Sequence, residues 1–272
     1  MRTNLSSKIK LDSIPRRYYA PGDEIEAAAL TREEKIDTRI YETIAEGSEG
    51  IAEHVVHAMD RAVAKKGKFV MAIGAGNSTM SVYSALIDLY KSGKISFKDT
   101  VVFNLTEFYN DGATEGPSTF GSLKENFLDH IDIPAENIHT FNTSCTRADV
   151  AAECREYENL METEGGLDLV LCQVGPHGAI GFNEPGATIS STCRLVLLSA
   201  EQRQGVASSY KVDTPPTTAL TLGMSNILRA NRIVTMAWGE NRAEIVAQAV
   251  EGPATPNVPA SLLQNHTRTT LV

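Results

Sequence analysis

The residues able to do chemistry fall into four short stretches, each following an apolar run. The richest is "QVGPHGAIGFNEPG", residues 173 to 186, with four glycines, two prolines, one imidazole (His177) and one carboxylate (Glu184). Its glycines permit tight folding against a ligand. Pro185 holds Glu184 extended, and an imidazole is the side chain that changes charge near neutrality. The second stretch, "IGAGNST" (73–79), has the form of a strand-to-helix turn. Gly74 and Gly76 let the backbone approach a ligand, and Asn77 and Ser78 open the helix. Its free N–H groups and dipole suit an anion. The stretch is neither a Walker A loop, having no Gly-Lys, nor G-x-G-x-x-G, since Thr79 stands at the third glycine position. A plain tight turn with a Ser/Thr cap is the competing reading. The third, "NLTEFYNDG" (104–112), puts Thr106 and Glu107 at a strand end, where a solvated carboxylate is the simpler reading of Glu107. The fourth, "WGENRAE" (238–244), puts Arg242 in the first turn of a helix. A cation there opposes the helix dipole, so phosphate binding explains the placement better than helix stability does.

The elements that must position these stretches alternate between strand and helix. Apolar runs at 68–73, 100–105, 167–174 and 232–238 read as strands, with "TALTL" and "NIHTF" as further strands. Helical spacing covers 78–93, 118–131, 147–166 and 241–252. This alternation predicts an α/β fold: a modified Rossmann-like, mostly parallel sheet with helices on both faces. Ligands of such sheets bind beyond the carboxyl ends of the strands, so the four stretches should converge. Residues 1–30 read as an extended arm, and 31–272 as one domain. A further helical pattern starts at 31, where Thr31 and Glu34 have capping-box spacing. His54 and His57 within it read as a helix face rather than a metal site, having no third ligand nearby.

Composition narrows the class. The chain has 272 residues and a net charge of −9, which disfavours nucleic acid as the main partner. Its four cysteines form no C-x-x-C pair or zinc spacing, and they read as reduced thiols in a cytoplasmic protein, with Cys172 in the core. No secretory signal, membrane span, metal or cofactor is expected.

Taken together, "AIGAGNS", "FNLTEF", "ENFLDHIDIPAENI", "VGPHGAIGFNEPG", "ALTLGMSNIL", "WGENRAE", "VEGP" and "PASLLQNH" resemble the glucosamine-6-phosphate deaminase/isomerase family over about residues 33 to 266. The resemblance implies a hexose 6-phosphate ligand, conversion of glucosamine 6-phosphate to fructose 6-phosphate and ammonia, and a homo-oligomer. It further implies that Gly76, Asn77 and Ser78 hold the phosphate. Arg242 stands where the family has a phosphate-binding lysine, and a second family cation is lost near Ser208.

The catalytic positions depart from the family pattern. Its Asp-Glu pair after the second strand reads Thr106-Glu107 here, and a threonine cannot serve as the base that moves a proton between C2 and C1. In its G-x-x-D-G-H-I-A-F-N-E-P loop the Asp becomes His177 and the His becomes Ala179, while Asn183 and Glu184 remain. The candidate catalytic residues are thus Glu184, His177 and Glu107, with Thr106 and Asn183 as substrate contacts. His177 is expected to fill space and bond backbone or water; pairing with Glu184, or reaching C2 directly, is the alternative. The "RYYAPGDEIE" arm resembles the amino-terminal part of longer bacterial proteins with a deacetylase-like domain downstream. A non-catalytic hexose-phosphate-binding domain is the second functional expectation.

Overall fold

Strands whose residues are all apolar must be covered on both faces, and this requirement organises the molecule. The computed structural model describes residues 22–109 and 116–272. In chain order the elements begin with α1 (Glu24–Leu30), β1 (Asp37–Thr38), α2 (Ile44–Lys66), β2 (Phe69–Ile73), α3 (Met80–Lys91), β3 (Thr100–Asn104) and β4 (Thr106–Tyr109). There follow α4 (Thr119–Asn126), β5 (Ile138–His139), α5 (Val150–Thr163), β6 (Leu169–Gln173), β7 (Arg194–Leu197) and α6 (Ala200–Tyr210). The chain ends through β8 (Thr218–Thr221), α7 (Met224–Leu228), β9 (Ile233–Met236), α8 (Ala243–Val250) and β10 (Thr269–Leu271).

Among the described residues the main sheet has seven strands in the order β1-β10-β9-β6-β2-β3-β5, every neighbouring pair parallel. Its two faces carry separate cores. On one, Ile51, Val55 and Met59 of α2 and Val82 and Leu86 of α3 pack on Met71, Leu171, Val234 and Met236. On the other, Cys154, Tyr157 and Met161 of α5 and Val250 of α8 pack on Val70, Phe103, Val170 and Ile233. The expected α/β class and strand-helix alternation are both present. No described helix is long and apolar enough to cross a membrane.

A second, antiparallel sheet of order β4-β8-β7 stands at the carboxyl edge of the first. The expectation that "TALTL" joins the parallel sheet is corrected here, since Thr218–Thr221 lies at the centre of this second sheet. Leu105 is the junction. Its N–H donates to Ile73 O (2.8 Å) in the main sheet, and its carbonyl accepts from Leu222 N–H (3.0 Å) beyond β8.

Two further readings change. Residues 1–21 of the arm lie outside the described residues, and 24–30 form a helix rather than an extended segment. Asp23 caps it by accepting from the Glu26 N–H (2.8 Å). Thr31 closes that helix, so Thr31 and Glu34 are no capping box. The capping box is the identically spaced Thr43 and Glu46 at the start of α2. Between them, Asp37–Thr38 pairs with β10, a tertiary demand that outweighs local spacing.

Candidate functional site

The loop after β2 is held from behind. Thr79 Oγ1 donates to Gly76 O (2.8 Å) and Gly74 O (3.2 Å), Tyr83 Oη to Gly74 O (2.6 Å), and Trp238 Nε1 to Ser78 O (2.8 Å). The carbonyls are therefore bound on the protein side. The turn that opens α3 borders a cleft of about 690 Å³, lined by Gly76, Asn77, Ser78 and Arg242. That volume lies in the ordinary range for ligand pockets. Arg242 is the residue immediately before α8, and among the described residues its guanidinium has no hydrogen-bond or ion-pair partner. The expected anion loop and the expected cation thus share one cleft.

Behind the cleft lies a smaller cavity of about 80 Å³, reached past Ala75, Gln173, Pro176, Phe182 and Gln202, which line both spaces. Thr106 and Cys172 line its inner part, with Gly181 opposite. A Cβ at Gly181 would come within 3.1 Å of Thr106 Cγ2, and that glycine also has φ +58°. No carboxylate or imidazole lines this cavity among the described residues. Cys172 is the ionisable group there, and burial pushes its thiol up to about 12. It stays protonated at neutral pH.

The other predicted residues are arranged differently. Glu107 is buried, and its carboxylate accepts from the N–H groups of Phe108 (2.8 Å), Thr119 (2.9 Å) and Phe120 (2.8 Å) and from Ser118 Oγ (2.9 Å). It anchors the start of α4 and presents no free oxygen to the cleft. Asn183 is buried as well. Its Nδ2 donates to Ile180 O (2.9 Å) and Leu222 O (2.8 Å), pinning the third loop to the second sheet. Glu184 accepts from Ser199 Oγ (2.9 Å) at the start of α6 and lines neither space. His177 adopts left-handed backbone (φ 52°), and its Nε2 lies 2.5 Å from Glu201 Oε2. Its partner is thus a carboxylate, rather than the expected backbone contact, and that carboxylate is not Glu184. It lies on the first turn of α6, brought near because the third loop and α6 share the cleft mouth. Residues 110–112 of the second stretch lie outside the described residues.

Two residues that sequence reasoning missed are prominent. Gln173 Oε1 accepts from Ser78 N–H (3.3 Å), and a Cβ at Gly76 would fall 2.5 Å from its Nε2. Gln202 reaches both spaces from α6. The signal for Gln173 was available: a polar residue ends the apolar run "LDLVLCQV" and faces the carboxyl edge. Gln202 carried none, because α6 itself was unpredicted.

Fold and site together define an α/β protein with a glycine-rich strand-to-helix loop and a cleft at the carboxyl edge of a mostly parallel sheet. The chain belongs to the glucosamine-6-phosphate isomerase/6-phosphogluconolactonase family, whose model matches residues 42–272. It is 41% identical over 268 residues to a glucosamine-6-phosphate deaminase-like protein of Bacteroides thetaiotaomicron, covering 98% of this chain and 40% of that relative's length. It is 38% identical over 206 residues to a glucosamine-6-phosphate deaminase of Halothermothrix orenii, covering 75% and 84% of the two chains. A solved monomeric glucosamine-6-phosphate deaminase superposes with a TM-score of 0.80 at 30% identity, over 87% of this chain and 96% of that one. A 6-phosphogluconolactonase of Thermotoga maritima shares the fold alone, at 16% identity and a TM-score of 0.65, over 87% and 97%.

Proposed function

We propose that this chain binds a hexose 6-phosphate of the amino-sugar class and carries out deaminase/isomerase chemistry on it only weakly. The phosphate sits at the loop of Gly76, Asn77 and Ser78, opposite Arg242, which lines the same cleft. The observation that carries this reading is the pairing of a cleft built for an anion with an inner cavity whose described lining has no carboxylate or imidazole. A sugar phosphate is held, yet the proton transfer between C2 and C1 has Thr106 where a base is required. The same lining favours the second reading, a domain that binds the sugar phosphate without turning it over. A parent protein longer than this chain, with a deacetylase-like domain downstream, fits the 40% coverage of the Bacteroides relative. A homo-oligomer in the cytoplasm completes the reading.

The test pairs calorimetry with an assay of ammonia and fructose 6-phosphate formation from glucosamine 6-phosphate. Binding with slow turnover is the expected result, and binding with no turnover selects the second reading. Arg242→Ala should weaken binding by about 1.5–3 kcal/mol, the size of a charged hydrogen bond. Unchanged affinity in that variant would overturn the phosphate placement.

A further inference from the structure

A second cluster of chemically active side chains lies at the opposite ends of the strands. Helix α2 packs across β9 and β10. Val234, Met236 and Val272 point at it and share a core with Ile51, Val55 and Met59. Side chains alternate along a strand, so counting back by two from Val234 puts Arg232 on that same face, before the amino end of β9. The register pairs Thr269 with Ile233, which sets Arg268 beside Arg232 on the neighbouring strand. Thr270, two residues on from Arg268, donates its Oγ1 to Asp37 Oδ2 (3.0 Å) on β1. Arg39 lies two residues beyond Asp37, and its Nε reaches back to 3.6 Å from the same oxygen. From above, α2 contributes His54, His57 and Arg61 at i, i+3 and i+7, one helical face.

Four guanidiniums and two imidazoles thus gather near Asp37, whose charge also reaches Glu34, in a chain whose net charge is −9. Among the described residues the guanidiniums of Arg61, Arg232 and Arg268 donate no hydrogen bond and form no ion pair. His54 Nε2 is buried without a partner. Burial lowers the pKa of Arg232, and the charges of Arg61, Arg268 and Arg39 lower it further against the pull of Asp37. The cluster repels itself, and nothing in the fold described here requires that it do so.

We propose that this cluster is a binding site for a small phosphate-bearing molecule, separate from the cleft at the carboxyl edge. Planar guanidiniums match phosphate oxygens two at a time, and several converging forks select a multivalent oxyanion over chloride. The acidic balance of the whole molecule disfavours a long polyanion such as nucleic acid. A bound phosphate would remove the repulsion among the arginines. Binding at the native cluster then stabilises the fold by mass action.

Pyrophosphate is the probe, titrated calorimetrically at low salt into the wild type, Arg232→Gln/Arg268→Gln and Arg242→Ala, with inorganic phosphate and glucosamine 6-phosphate as further arms. Pyrophosphate binding should weaken about tenfold or more in the double variant, the loss of charged hydrogen bonds, and should persist in Arg242→Ala. If inorganic phosphate shows the same pattern, a single phosphate group suffices; if glucosamine 6-phosphate does, the site accepts a sugar phosphate. Without anion, the double variant should melt no lower than wild type, because it removes repulsion. Should it fail to fold, Arg61→Gln on the exposed face of α2 replaces it, with the same weakening expected. The proposal is overturned if wild type binds no pyrophosphate, or if the cluster variants bind like wild type while Arg242→Ala abolishes binding. Because Arg242 and the cluster are varied separately, failure here is distinct from failure of the cleft assignment.

Discussion

Thr106 lines the inner cavity; in the proposed reading it stands in place of a proton-transferring base, and a single substitution tests that. Thr106→Asp should raise ammonia release from glucosamine 6-phosphate by on the order of a hundredfold, the low end of general-base catalysis. It should also lower Tm, because Thr106 is only 4% exposed and a carboxylate there loses hydration. An unchanged rate would show that the base is not what is missing. His177 behaves differently. It pairs with Glu201 at a site where the two side chains are 66% and 55% exposed, and such surface pairs contribute roughly 0.2–1 kcal/mol. Asparagine tolerates left-handed backbone, so His177→Asn should keep the fold and leave sugar-phosphate affinity within about fivefold. A calorimetric loss well beyond that would give His177 a direct role at the ligand. What the sequence disclosed at this scale was the shared placement of Gly76, Asn77, Ser78 and Arg242. It could not disclose that Glu107 and Asn183 serve the scaffold. A carboxylate's hydrogen-bond partners, here the N–H groups of Thr119 and Phe120, are set by folding and not by neighbours in sequence.

Helix α4 begins on a buried anion, and that arrangement makes Glu107 a residue of stability. Glu107→Gln should unfold at markedly lower urea, with a loss of about 2–4 kcal/mol for disturbing several charge-assisted bonds at once. If the loss fell instead on turnover, with the urea midpoint unchanged, Glu107 would be a catalytic group after all. The central strands were legible because "KFVMAI", "TVVFNL", "LDLVLCQV" and "RIVTMAW" are continuous apolar runs that only a covered parallel strand can use. The second sheet was not. "RLVL" is four residues long and half-exposed, "TEFY" reads as a loop, and "TALTL" has no local mark of direction. Their pairing is decided across the sheet, as was the choice of Thr43 over Thr31 to start α2.

For the molecule as a whole, two histidines couple the fold to pH. Burial lowers the pKa of His54, and Arg39, Arg232 and His57 add to the effect while Asp37 opposes it. Burial likewise lowers His139, against the pull of Glu164. Both are held neutral in the folded chain, so the unfolded chain takes up protons first as pH falls below the ordinary value of 6.5. Their contribution is complete above that pH and is lost as pH drops through the folded values. The urea midpoint should therefore fall between pH 7.5 and 5.5, and fall less in His54→Gln; equal slopes would remove His54 from the account. Leu105 has a consequence of another kind, in the order of assembly. Its N–H belongs to the parallel sheet and its carbonyl to the segment after β8, so one residue stitches together pairings of different reach. β2 and β3 pair across the single crossover that holds α3, whereas Thr106 must find Thr221 across more than a hundred residues, and distant pairings form slowly. The wall that carries Thr106 is then the late-forming one, and a nascent chain holds its glycine-rich loop before it has a cavity behind it.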